Sequence, residues 1–420
     1  MFFYPKATFG SIITLSVCLF VLYVNAVYAG TSARNWHDRI VHTLPSSPGC
    51  FVAKYPETTF KGVACSPPPK RSYYLRPVKD NGVAKTALAP KAGTVIDYAL
   101  ATPSSMLIES ATGRFSEVDH VTEKAPYTLQ INSKQFAGST SACNGISGCT
   151  IWQQFIYDES SAMALMEYWL FDYGTSCPVG WNNFGTACWK NSPTVSVPSI
   201  PAAELGKVSI SAFANKNGYD IAMLSYDDVI YVVSQPATVL GLYTIWKEAS
   251  FNVYGAPGTN MVAEFNRGAF LGVRLEADYG STPACVAGVF TGESNNFVKD
   301  DCVAEGGSIR FDEYVPSFDF TYPVTGQTVK LAAAGLVYAT GVAAPGAGVE
   351  VVSVFDDPSQ PFCRTRANSG GQWVCSLKVD KTASYLLEAS ENGDHGGAVS
   401  DYFCVEVAGQ GRCNIRRNNP

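Results

Sequence analysis

Histidine is scarce, with four in 420 residues. His37, His42, His120 and His395 are scattered, and none stands at metal-ligand spacing from another, so a zinc site with histidine ligands is not expected. No Gly-x-Ser-x-Gly turn leads into a helix, which removes the usual serine-hydrolase signature. No glycine-rich loop that would cradle a phosphate opens a helix either. Only 16% of the residues are charged and the net charge is −6, which disfavours nucleic acid or anionic lipid as a partner. Long stretches of 3.6-residue apolar period are also lacking. What is plentiful is aromatic residues, glycine and proline, the composition of an all-β protein. The chemistry left open is that of carboxylates and amides, with no metal or cofactor, or no chemistry at all.

Thirteen cysteines are present. Cys18 lies in an N-terminal stretch with a lone Lys6, an apolar run from Ile12 to Tyr23 and small residues at Ala26 and Ala29. That is the pattern of an export signal cut after Ala29, and the run is shorter than the ~20 residues a membrane-spanning helix requires. The other twelve fall as six near neighbours, and the simplest reading joins each to the next: Cys50 to Cys65, Cys143 to Cys149, Cys177 to Cys188, Cys285 to Cys302, Cys363 to Cys375 and Cys404 to Cys413. So disulfide-rich a chain belongs in an oxidising compartment, periplasmic or extracellular. Once cleaved, it would not be an integral membrane protein.

The chain is too long for one core. After the leader (1–29), residues 30–124 form an uneven region in which Pro67, Pro68, Pro69, Lys70 and Arg71 open a basic, proline-rich passage, read either as a pro-region or as a solvated linker. From 125 to 321 strands come thickly: Thr150 to Tyr157, Ala162 to Tyr173, Lys207 to Ala212, Asp220 to Ser225, Val229 to Ser234, Ser250 to Tyr254, Met261 to Asn266 and Phe270 to Glu276. A hairpin tip is expected at Asn215 to Gly218. Many strands joined by Gly, Asn and Pro turns predict a sandwich or barrel. A second unit is expected over 322–409, followed by a tail over 410–420.

Chemistry concentrates at Ile151-Trp-Gln-Gln-Phe-Ile-Tyr157 and Met166-Glu-Tyr-Trp-Leu-Phe-Asp-Tyr-Gly174. Alternation puts Glu167, Trp169, Phe171 and Tyr173 on one face and Met166, Tyr168 and Leu170 on the other. A face that mixes a carboxylate with large rings suits a substrate groove, and equally a sheet whose polar groups meet water. The stapled loop from Cys177 to Cys188 carries Trp181, with Trp189 just beyond it. Those rings either face a ligand or fold back on the sandwich.

On these residues the central region resembles the glutamic peptidases of the eqolisin type and, more distantly, the neprosin type. The resemblance implies a concanavalin-like double-sheet sandwich in which a Glu and a Gln activate water. Gln153 or Gln154 matches the family's Gln, and Met166-Glu167-Tyr168 its aromatic strand. In Trp246-Lys-Glu-Ala-Ser-Phe-Asn-Val-Tyr-Gly255, aligning Phe251 with the family's Trp sets Ser250 where the catalytic Glu stands. Glu248, Ser250, Asn252 and Tyr254 share one face, with Glu248 about 7 Å from Ser250 along the strand. The implied catalytic set is Gln153, Glu248 and Glu167, with Gln154, Trp169, Ser250, Asn252, Trp181 and Trp189 binding substrate. Glu264 and Glu293 are further carboxylates that could face the groove.

The C-terminal unit resembles bacterial Ig-like domains, on Pro323-Val-Thr-Gly326, Pro345-Gly-Ala-Gly-Val-Glu-Val351, Gly371-Gln-Trp-Val-Cys375 and Ser384-Tyr-Leu-Leu-Glu-Ala389. That implies a smaller β-sandwich that spaces or presents the rest. The expected function is a secreted glutamic-type endopeptidase, or a degenerate relative, acting on protein or peptide at acidic pH. The alternative is a non-catalytic binder of a glycan or surface ligand.

Overall fold

The computed structural model describes residues 36, 39–73, 98–103, 105–257, 262–279, 281–287, 295–315, 318–320, 328–331, 335–353, 361–368, 371–379, 385–392 and 403–407. The leader, Glu293, His395 and Cys413 lie outside them. Ten strands form the centre of the molecule: β1 (Ser110–Asp119), β2 (Tyr127–Ser133), β3 (Thr150–Asp158), β4 (Met163–Phe171), β5 (Ala187–Asn191), β6 (Val208–Lys216), β7 (Tyr219–Tyr226), β8 (Val229–Pro236), β9 (Glu248–Gly255) and β10 (Phe270–Asp278).

The protein is all-β. One large antiparallel sheet runs β10-β1-β6-β7-β8, extended by Ser308–Tyr314 beyond β10 and by Gly49–Lys54 and Lys61–Val63 beyond β8. The other runs β9-β2-β3-β4-β5, extended by Tyr98–Ala101 and Ala284–Ala287 beyond β9 and by Asn182–Phe184 beyond β5. Strands from residues 49 to 119 therefore belong to these sheets, and the sandwich draws on chain well ahead of residue 125.

The sheets pack face to face on alternate residues of each strand. Ile151, Phe155 and Tyr157 of β3, Met166, Tyr168 and Leu170 of β4, and Ala249, Phe251 and Val253 of β9 meet Ile210, Ala212, Ala222, Leu224 and Val233 of the facing sheet in one core. Aromatic and β-branched residues dominate, as a pleated, buried surface favours. The sheets come so close at Gly113 of β1 that a Cβ there would lie 2.2 Å from the Phe251 ring.

The β6–β7 hairpin turns as expected, with Asn215, Asn217 and Gly218 in the left-handed region (φ 58°, 53° and 87°). Of the strand expected over Met261 to Asn266, the described residues 262–266 form none: Ala263 and Phe265 make isolated bridges, to Asn295 and Glu123. The Asn266 side chain takes over the local backbone, accepting from Thr122 N–H and donating to His120 C=O, which competes with a ladder.

Toward the C-terminus, Phe318–Phe320, Gly335–Val342 and Gln372–Val379 form one small sheet, and Thr328–Leu331, Phe403–Val407, Tyr385–Asn392, Gly348–Ser353 and Cys363–Arg366 another. They enclose a separate core of Trp373, Leu377, Val351, Leu387, Phe403 and neighbours. Two pairings here are parallel, Phe318–Phe320 with Gly335–Val342 and Thr328–Leu331 with Phe403–Val407.

Five bridges join Cys50 to Cys65, Cys143 to Cys149, Cys177 to Cys188, Cys285 to Cys302 and Cys363 to Cys375, as the spacing predicts. Cys404 is buried and disulfide-bonded. Such bridges are compatible with an extracellular location. Among the described residues no helix is long and apolar enough to cross a membrane.

Candidate functional site: a buried carboxyl in a row of amides

Strand parity separates two glutamines that are adjacent in sequence. Gln153 points between the sheets, where its Nε2 donates to Asp220 Oδ2 of β7 at 3.1 Å. Gln154 points to the opposite, outer face of its sheet. There the register sets five polar residues side by side across five strands: Asn191 of β5, Glu167 of β4, Gln154 of β3, Asn132 of β2 and Ser250 of β9. From Glu167 to Ser250 is three inter-strand intervals, about 14 Å at ~4.8 Å each.

This outer face is not solvated. Along β2, β3, β4 and β9 nearly every residue is buried on both faces, and Glu167, Gln154, Asn132 and Ser250 are at most 2% exposed. An antiparallel sheet usually leaves one face wet. Several of the row's acceptors have no hydrogen-bond partner among the described residues: Gln154 Oε1, Asn132 Oδ1, Asn191 Oδ1 and Ser250 Oγ. Leaving such a group buried and unpaired costs about 1–3 kcal/mol, so a row of them is expensive for folding alone. The donors are engaged: Gln154 Nε2 donates to Gln130 Oε1 at 2.8 Å, Gln130 Nε2 to Thr128 Oγ1 at 3.0 Å, and Asn132 Nδ2 to the Tyr254 hydroxyl at 3.0 Å.

Glu167 is the only carboxylate of the row. Burial pushes its carboxyl up to about 8, against the opposing effect of hydrogen bonds from the Tyr73 backbone, Trp169 and Ser72. Trp169 Nε1 donates to Oε1 at 2.6 Å. Behind it Trp152, Trp169, Phe171 and Trp189 form an aromatic block, the Trp169 and Phe171 rings stacked at 5.5 Å. On the other side of the row lie Ile156 and Leu165, then Asp158 at the strand end.

A segment from the proline-rich passage crosses this face. Cys65 ties it to Gly49–Lys54, Ser66 bridges to Thr194, and Asn191 Nδ2 donates to the carbonyls of Pro69 (2.9 Å) and Arg71 (2.8 Å). Tyr73 N–H then donates to Glu167 Oε2 at 2.9 Å and Oε1 at 3.2 Å, and the Tyr73 ring packs on Ile156 and Leu165. The Tyr73 hydroxyl donates to Asp158 Oδ2 at 2.8 Å, which also takes Arg71 Nη2 at 2.6 Å.

The remaining residues singled out in the sequence are placed as follows. Glu248 shares the face of Ser250 but sits at the strand's start, paired with Lys134 Nζ at 2.6 Å, and is not within the row. Asn252 lies one step along from Ser250, donating to the Tyr254 hydroxyl at 3.2 Å. Trp169 and Trp189 are buried, and Trp181 packs against the core with Lys190 Nζ 4.9 Å over its ring. Glu264 is exposed and pairs with Lys124.

Asn132, Gln130, Asn191, Asp158, Arg71 and Tyr73 were not anticipated. Thr128, Gln130 and Asn132 alternate with Tyr127, Leu129 and Ile131, a period-two polar stripe that could have marked β2. Nothing local in sequence ties Tyr73 to Glu167, 94 residues on.

No family model matches the chain, and no curated protein matches it.

Proposed function

We propose that the protein is an exported endopeptidase of the glutamic type, with Glu167 and Gln154 as its working pair. The observation that carries this reading is the Tyr73–Glu167 contact: a buried carboxyl, beside an amide side chain, already accepts a main-chain N–H from an extended segment. The unpartnered acceptors of the row extend the same kind of contact over the length of about four extended residues.

The chemistry follows from the groups present. Ionised Glu167 takes a proton from a water that attacks the scissile carbonyl, and the second N–H of Gln154, the first being engaged by Gln130, donates to the developing oxyanion. Glu167 then passes that proton to the leaving amine nitrogen as the C–N bond breaks. Burial holds the carboxyl protonated at neutral pH, against the opposing hydrogen bond from Tyr73 N–H. Water entering a vacated cleft would restore a lower value and allow it to act as base. The leader pattern at 1–29 and the disulfides support the exported part of this reading. Glu248 and Gln153, first candidates on sequence, have other partners, Lys134 and Asp220, and are assigned no catalytic step. The glycan-binding alternative draws little support from rings as buried as Trp169 and Trp189.

The test is cleavage of unfolded casein from pH 2 to 8 by the mature protein, intact and after limited proteolysis at Arg71. Glu167→Gln is expected to abolish turnover and Glu248→Gln to spare it. Full activity in Glu167→Gln would sink the assignment.

A further inference from the structure

We infer that the Glu167 face is a recognition site for an extended peptide carrying an arginine two residues before a tyrosine, with Asp158 as the arginine subsite, and that residues 67–73 are its intramolecular occupant. This rests on reading the face as a peptide site, not on its cutting peptides.

Asp158 is fully buried at the end of β3. Its Oδ1 accepts from Ser160 Oγ at 2.7 Å and Ser161 N–H at 3.3 Å, which fixes the carboxylate and leaves Oδ2 facing the strap. Arg71 Nη2 meets Oδ2 at 2.6 Å and Ser161 Oγ at 2.5 Å, and Nη1 donates to Pro257 C=O at 3.3 Å. Three acceptors around one planar cation suit guanidinium better than the point charge of lysine. Removing that cation would leave a buried carboxylate uncompensated, so the subsite demands a replacement.

The rest of the contact has the period of an extended chain. Arg71 and Tyr73 both reach Asp158, while Ser72 between them lies against Glu167. The carbonyls of Pro69 and Arg71, again two apart, share Asn191 Nδ2. Side chains of the sheet thus read the main chain through Asn191 and Glu167, and the side chains through Asp158 and the Ile156–Leu165 patch. A tether as short as that from the Cys50–Cys65 bridge gives the segment a high effective concentration, and a free peptide would compete poorly against it.

The probe is a fluorescein-labelled peptide, Pro-Pro-Pro-Lys-Arg-Ser-Tyr, with a partner in which its arginine is alanine, followed by anisotropy at pH 7. The mature chain and a doubly substituted chain, Arg71→Ala with Tyr73→Ala, are compared. The expected result is at least tenfold tighter binding to the substituted chain, with a preference for arginine of about 100-fold that disappears when Asp158→Asn is added. Binding without arginine preference, or none to a substituted chain with a native circular dichroism spectrum, overturns the inference. Trypsin supplies a second reading in case that chain does not fold: Asp158→Asn alone should speed nicking after Arg71 at least tenfold, and an unchanged rate overturns it. A peptide bound but left uncut at every pH sinks the hydrolase reading alone. One cut with no preference for arginine sinks this inference alone.

Discussion

Gln153 and Asp220 join the two sheets through a hydrogen bond of 3.1 Å buried in the core. Burial pushes the Asp220 carboxyl up to about 7, despite hydrogen bonds from Asn215 N–H and Gln153. In the other sheet, on the face turned away from Gln153, burial pushes Glu167 up to about 8. In both cases the folded state holds its proton more tightly than the unfolded chain, whose carboxyls titrate near 4. Stability from these two groups is complete below about pH 4 and is lost as pH rises through 7 to 8, by a few kcal/mol. Thermal unfolding from pH 4 to 8 should show a falling Tm. Asp220→Asn should lessen the fall between about pH 4 and 7, and Glu167→Gln should lessen it over the same range and also remove the part that continues toward 8. An undiminished fall in the double variant would refute the assignment.

Ser250 offers a case where stability and function should move in opposite directions. Its hydroxyl is buried and has no hydrogen-bond partner among the described residues. Ser250→Ala is expected to leave stability unchanged or raise it by up to about 1 kcal/mol in urea titration, because the removed group had no bond to lose. If the row receives peptide backbone, the same variant should raise KM several-fold with little change in kcat. A clear loss of stability would mean that the hydroxyl is satisfied in solution.

At Gly113, alanine would drive its methyl into the Phe251 ring. Gly113→Ala should cost about 1–3 kcal/mol or more in chemical denaturation. Gly206→Ala, whose Cβ would meet Val118 at an ordinary 3.5 Å, serves as the control and should be close to neutral. Equal effects at the two positions would argue against the close sheet approach.

The Cys50–Cys65 bridge spans 15 residues and anchors the strap. Replacing both cysteines with serine should cost about 3 kcal/mol in the chain-entropy account. It should also hasten trypsin nicking after Arg71 under native conditions. Lost stability with unaltered nicking would show that the bridge supports the sheet edge and not the crossing segment.

Much of this architecture can be read from short-range patterns. The alternation in Met166 to Phe171 placed Glu167 and Trp169 opposite Met166 and Tyr168, and neighbouring cysteines proved to be partners. What escaped was set by pairing between distant strands. Gln153 and Gln154 lie in a run with large apolar residues on both sides, so parity alone could not say which glutamine faced the core. Only the register of β3 against β4 puts Gln154 beside Glu167. The basic, proline-rich passage had the composition of a linker, yet Arg71 finds Asp158 across 87 residues of sequence. Met261 to Asn266 had the apolar content of a strand, but the Asn266 side chain occupies the backbone groups that a neighbouring strand would have needed.

The polar row also limits how any partner can be held. Its strands β2, β3 and β4 each have hydrogen-bonded neighbours on both sides, so their own peptide groups are spent within the sheet. An incoming chain cannot add itself as one more strand there. It must lie over the sheet and speak only to side chains, which makes selectivity at this face a matter of a few amides and carboxyls, each changeable without redrawing the fold.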